Sequence, residues 1–167
     1  MSAGPGPSEQ VRATARRAEG SPVTRIDFHF NAEHRLHYAC RVTRKARAAG
    51  KRLVVFARDS DRLAQFDTAL WTFSALDFLP HVYVDSELAA ITPVLLTLDG
   101  ARAPASDVLL MLDDEVPPDF DTLFARYERV IEVVSRSDDD RARARARFKT
   151  YRDHGFKPTT FEVAGRE

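Results

Sequence analysis

"TRIDFHFNAEHRLHYACRVTRKARAAGKRLVVFA", residues 24–57, changes its apolar period twice. Over residues 24–31, Ile26, Phe28 and Phe30 recur at every second position, the spacing that turns one face of an extended chain towards a core. Asn31 is placed to cap a helix. From residue 32 to 49 the apolar or small positions Leu36, Ala39, Cys40, Thr43 and Ala46 recur at helical spacing, and Gly50 supplies the C-terminal stop. Residues 52–57, "RLVVFA", are continuously apolar, as expected of a strand covered on both faces by helices. The stretch therefore reads as a βαβ unit.

The same alternation continues downstream. Ser60 is placed to cap a second helix in which Leu63, Phe66 and Leu70 share a face, ending near Trp71. Residues 81–84, 93–98 and 107–112 are short candidate strands, a third helix is expected over residues 120–127, and "VIEVV" (130–134) is another strand. Ser137 and Asp140 have capping-box spacing, and the aspartates at 138–140 suit a helix N-terminus. A last helix is thus expected from about 138 to 154, with Gly155 just beyond its end and "TTFEV" (159–163) as an edge strand. The expected architecture is a single three-layer α/β domain over residues 23–167 with a largely parallel central sheet.

Composition narrows the function classes. The 167 residues are 44% hydrophobic and 30% charged, with 25 Lys plus Arg against 25 Asp plus Glu, so bulk charge argues neither for a nucleic-acid coat nor for an acidic tail. One cysteine, Cys40, forms no internal disulfide and fits a reducing compartment, so the expected location is cytoplasmic. No apolar run approaches the roughly 20 residues that cross a bilayer, and no membrane association is expected. Residues 1–22, rich in Gly, Pro, Ser and Ala, lack the apolar segment of a secretory signal and read as a disordered extension.

An α/β sheet invites a nucleotide-binding reading, but the turn after the first strand is "HFNAEH", without glycine. Phosphate-cradling loops need glycines there so that the backbone can approach the ligand. The expected fold is accordingly Rossmann-like without a phosphate-binding loop, and no cofactor is expected. His34, His37 and Cys40 repeat every third residue, but two such steps turn through about 240°, so their ends splay and no metal centre is expected. Asp59 and Asp61 would suit a metal-dependent phosphatase, or simply flank a helix cap. No serine or cysteine sits in a nucleophile-elbow context, and no catalytic residue is expected.

Two clusters remain. "LWTFSALDFLPH" (70–81) gathers Leu70, Trp71, Phe73, Leu76, Phe78 and Leu79 before a proline turn, and reads either as a core-capping loop or as an exposed anchor patch. The second is "RARARARFKTYRDHGF" (141–156), in which Arg141 and Arg145 share one helix face and Arg143 and Arg147 another, with Phe148, Lys149, Tyr151 and Arg152 following. It reads as a solvated charged face, as a dock for an acidic peptide with an aromatic or terminal carboxylate, or as a single-stranded nucleic-acid surface.

Residues 50–84 and 144–156 resemble the chi subunit family of bacterial DNA polymerase III holoenzyme. The shared pattern is a G-K-R strand start at Gly50, a D-x-x-L-W helix end at Asp67, an F-x-P-H turn at Phe78 and a final R-[YF]-K-x-Y-R-x-x-G-F helix at Arg147. The resemblance extends over about residues 23–163. It implies a non-catalytic clamp-loader subunit with two protein partners and no direct sequence-specific nucleic-acid binding. One implied partner is psi or an equivalent, on a surface that falls on Trp71, Phe78, Pro80 and His81. The other is the acidic C-terminal tail of single-stranded DNA-binding protein (SSB), which ends in Pro-Phe. Its contacts fall on Val134, Arg141, Arg145, Phe148, Lys149 and Arg152. Phe148 stands where the family often has Tyr, which removes a hydroxyl, and the N-terminal extension is not a family feature.

Overall fold

The computed structural model describes residues 24–73 and 78–163. The extension read over residues 1–22, and Leu76, lie outside them. Among the described residues seven strands and four α-helices follow the sequence in the order β1 (Arg25–Ala32), α1 (Arg35–Ala48), β2 (Leu53–Phe56), α2 (Ser60–Thr72), β3 (His81–Tyr83), β4 (Val94–Thr97), β5 (Ser106–Met111), α3 (Phe120–Phe124), β6 (Tyr127–Ser135), α4 (Asp138–Asp153) and β7 (Thr159–Glu162). The strands form one sheet in the order β3-β4-β2-β5-β6-β1-β7. Each neighbouring pair is parallel, so the expected "largely parallel" sheet is wholly so.

Strand alternation builds the three layers. Leu53 and Val55, Val94 and Leu96, and Val108 and Leu110 pack on one face with Tyr38, Ala39 and Cys40 of α1 and with Leu63, Phe66 and Leu70 of α2. Val54 and Phe56, Leu109 and Met111, and Ile26 and Phe28 pack on the other face, with Phe120, Leu123 and Phe124 of α3 and with Ala144 and Tyr151 of α4. A strand buried on both faces has no polar side to alternate with, which is why β2, and β5 from Val108 to Met111, read as unbroken apolar runs.

Three local expectations are corrected. Asn31 does not cap α1: it takes a left-handed conformation, φ 70°, at a register shift in β1, and the helix begins after His34, whose side chain makes no cap bond. Asp59, not Ser60, caps α2, its Oδ1 accepting from the Asp61 and Arg62 amides, because a carboxylate one residue upstream reaches both free N–H groups of the first turn. The third helix stops at Phe124, and Tyr127 already begins β6, with its hydroxyl donating to the Pro104 carbonyl.

Candidate functional site

Helix α4 sorts the arginine run. Two residues advance a helix by about 200°, so alternate arginines point to opposite sides. Ser137 caps the start, its hydroxyl accepting from the Asp140 amide at 3.3 Å, and Asp140 Oδ2 accepts from the Ser135 amide at 2.7 Å. Ala144, Arg147 and Tyr151 form the inward face. Arg141, Arg145, Phe148 and Arg152 fall within a sector of about 60° beside it, with Lys149 about 40° beyond Arg145.

On that flank lies an apolar groove of about 570 Å³ lined by Phe28, Phe30, Val134, Ala144, Phe148 and Thr160, with Asn31, Arg141, Arg145 and Glu162 around it. Of the residues singled out from sequence, Val134, Arg141, Arg145 and Phe148 meet there, whereas Lys149 and Arg152 lie exposed on the same helix without lining it. Phe148 is half-buried, its ring 5.4 Å from that of Phe28. Arg141 donates to Asn31 Oδ1 at 3.4 Å, and Asn31 Nδ2 donates to Glu162 Oε1 at 3.2 Å. The side chains of Arg145, Lys149 and Arg152 make no hydrogen bond or ion pair among the described residues. Sequence reading missed Phe28, Phe30 and Ala144 as groove walls because they read equally well as core; the parallel register of β1 with β6 and β7 brings the two phenylalanines here, and Ala144 meets them from the inward face of α4.

The other two arginines work inward. Arg147, 1% exposed, pairs with fully buried Glu132 at 3.1 Å, and the Tyr151 hydroxyl donates to the second Glu132 oxygen at 2.5 Å. Burial and the neighbouring carboxylate push the Tyr151 hydroxyl well above its ordinary range, so it remains the donor. Arg143 joins a cluster at the carboxyl ends of the central strands, where Asp114 accepts from Arg35 at 2.8 Å, Arg62 at 2.9 Å and Arg143 at 3.0 Å, and Arg58 pairs with Asp113 at 2.5 Å. In an open α/β sheet, ligands enter at this edge. Here the chain's own ion pairs occupy it.

Burial pulls the Asp114 carboxyl upward, but bonds from Arg62 and Arg35 outweigh it and hold it at about 2. Because the folded value lies below the unfolded 3.8, the stabilisation is complete above about pH 4 and is lost as pH falls through 2. Asp114→Asn should therefore unfold about 2 kcal/mol more easily than the parent near neutral pH, the gap closing towards pH 2. Urea titrations at several pH values check this; a gap that stays constant with pH contradicts it.

The aromatic cluster sits at the opposite edge of the sheet. Leu70 and Leu79 are buried, while Trp71 and Phe78 are 57% and 67% exposed. The Trp71 ring lies 5.4 Å from Phe78 and 4.8 Å from His81. Buried His81 is fixed from both sides, Nε2 2.7 Å from Asp67 Oδ1 and Nδ1 2.7 Å from the Leu79 carbonyl, and exposed Pro80 completes the turn. The described residues of the stretch are thus core and patch together: Leu70 and Leu79 inward, Trp71 and Phe78 outward.

The other candidates do not converge. Cys40 is buried, its thiol pushed by burial to about 12, while His34 is exposed and His37 turns its ring to Phe73. Asp59 is engaged in capping α2. Among the described residues no three His, Cys, Asp or Glu side chains are grouped to hold a metal, and no helix is long and apolar enough to cross a membrane.

The family described as DNA polymerase III chi subunit, HolC, matches residues 23–159. The DNA polymerase III subunit chi of Pseudomonas aeruginosa is 30% identical over 138 residues, covering 80% of this chain and 93% of the relative. The subunits chi of Escherichia coli and Haemophilus influenzae are 29% and 26% identical, over 72% and 75% of this chain and 80% and 85% of their own lengths. The chain belongs to the DNA polymerase III chi subunit family.

Proposed function

We propose that this chain is a non-catalytic subunit of the clamp-loader assembly that ties the replicative polymerase to SSB in the cytoplasm. The α4 groove takes the acidic SSB tail, and the Trp71–Phe78 surface takes a psi-type subunit or an equivalent partner. The observation that carries this reading is the pairing of an apolar slot with unpaired cations, Arg145, Lys149 and Arg152, on one helix flank. A terminal Phe supplies an apolar ring for the slot and a carboxylate for a guanidinium, while acidic residues before it meet the remaining charges. Direct single-strand binding fits less well, since Phe148 packs on Phe28 and is only partly exposed, whereas a stacking platform needs open ring faces.

Trp71→Ala with Phe78→Ala should abolish co-purification with the psi-type partner while the melting temperature stays within a few degrees, each anchor contributing about 2 kcal/mol or more to binding. Retention of the partner by this double variant contradicts the assignment of that surface. Calorimetry with ATP and magnesium should show no binding, because Asp114 and its three arginines occupy the sheet edge where a nucleotide would sit. A micromolar affinity would contradict it.

A further inference from the structure

We propose that the outer edge of β7, which no other strand covers among the described residues, receives the docked peptide as an eighth strand of the sheet; this rests on reading the groove as an acidic-tail dock. β7 is the last strand in the order, and its four residues are all exposed. Its register with β1 and the Val163 amide donating to the Phe30 carbonyl at 2.9 Å fix which backbone groups face inward. Backbone groups alternate along a strand, so Thr159, Phe161 and Val163 bond to β1 while Thr160 and Glu162 turn their N–H and C=O groups outwards. Thr160 and Glu162 also line the groove with their side chains. The rim of the groove therefore offers donors and acceptors at the repeat of a partner strand.

Charge and length name the occupant. The cationic stripe from Arg141 to Arg152 runs about 16 Å along α4, and the four residues of β7 span about 13 Å. An extended acidic peptide of four or five residues on β7 would pass each cation in turn while its terminal aromatic side chain enters the slot between Phe28, Val134 and Phe148. Glu162, the one carboxylate of the lining among the described residues, accepts from Asn31 at 3.2 Å.

The test uses the full chain and a labelled peptide with an acidic stretch and a C-terminal Phe, compared with peptides N-methylated at one backbone amide each. Anisotropy should show affinity falling about fivefold to tenfold at alternate positions and little between them, the mark of a strand bonded on one side. Thr160→Pro, which deletes an outward N–H without removing a bond to β1, should weaken binding about fivefold, whereas Thr160→Ala should stay within about twofold. A flat N-methyl profile overturns strand addition and leaves groove docking standing; if Thr160→Pro fails to fold, the N-methyl scan decides alone. No binding by the unmodified peptide overturns both readings.

Discussion

Arg145→Ala should weaken binding of an acidic peptide ending in Phe by at least about thirtyfold, with the melting temperature unchanged. Arg145 stands exposed beside the slot and makes no hydrogen bond or ion pair among the described residues, so nothing in the fold depends on it. Its planar guanidinium can hold a carboxylate through two parallel hydrogen bonds. Truncating one partner of a desolvated pair of this kind costs about 2–5 kcal/mol. Lys149 and Arg152 lie outside the slot, where charges act through water and are screened. Lys149→Ala or Arg152→Ala should therefore weaken binding only about twofold to fivefold and flatten its salt dependence. Anisotropy titrations at two salt concentrations separate these effects, and unchanged affinity in Arg145→Ala contradicts the placement of the carboxylate.

Arg147→Met should destabilise the fold by about 3–5 kcal/mol, lowering the melting temperature by roughly 10 °C. The substitution leaves Glu132, fully buried, with the Tyr151 hydroxyl but no cation. It also frees the Asp114 carbonyl, which accepts from Arg147 Nη1 at 2.5 Å. Adding Glu132→Gln removes the uncompensated charge and retains an acceptor for Tyr151, so the double variant should recover more than half the loss. The Nη2 of Arg147 is buried without a hydrogen-bond partner among the described residues, so the wild-type pair is itself incompletely satisfied. A double variant no more stable than Arg147→Met would contradict an electrostatic origin of the loss.

The fold was legible wherever burial on both faces writes itself as an unbroken apolar run, as in β2 and in Val108–Met111 of β5, or as helical spacing, as in Leu63, Phe66 and Leu70. What could not be read follows from contacts between distant segments. Spacing separates Arg141 and Arg145 from Arg143 and Arg147 but does not say which pair faces the sheet; that depends on Glu132, 15 residues away from Arg147 on the neighbouring strand. Glu132 was nonetheless conspicuous as one charge inside "VIEVV". Asp114 gave no such signal, since its three guanidinium partners come from α1, α2 and α4. Asn31 was misread as a cap because its positive φ serves a kink in β1, which puts its amide between Arg141 and Glu162. Val134, Arg145 and Phe148, singled out through the resemblance, line one groove, and β1 and β7 supply the walls between them.

The central claim is tested most directly by titrating the unaltered chain with three labelled ligands: the acidic tail peptide, the same peptide without its terminal Phe, and a single-stranded oligonucleotide of equal charge. The account predicts that the complete peptide binds, that removing the terminal Phe weakens binding at least about tenfold by emptying the slot and displacing the carboxylate, and that the oligonucleotide binds weakly and only at low salt. An oligonucleotide that binds as tightly as the complete peptide, or a peptide indifferent to its terminal Phe, would contradict it.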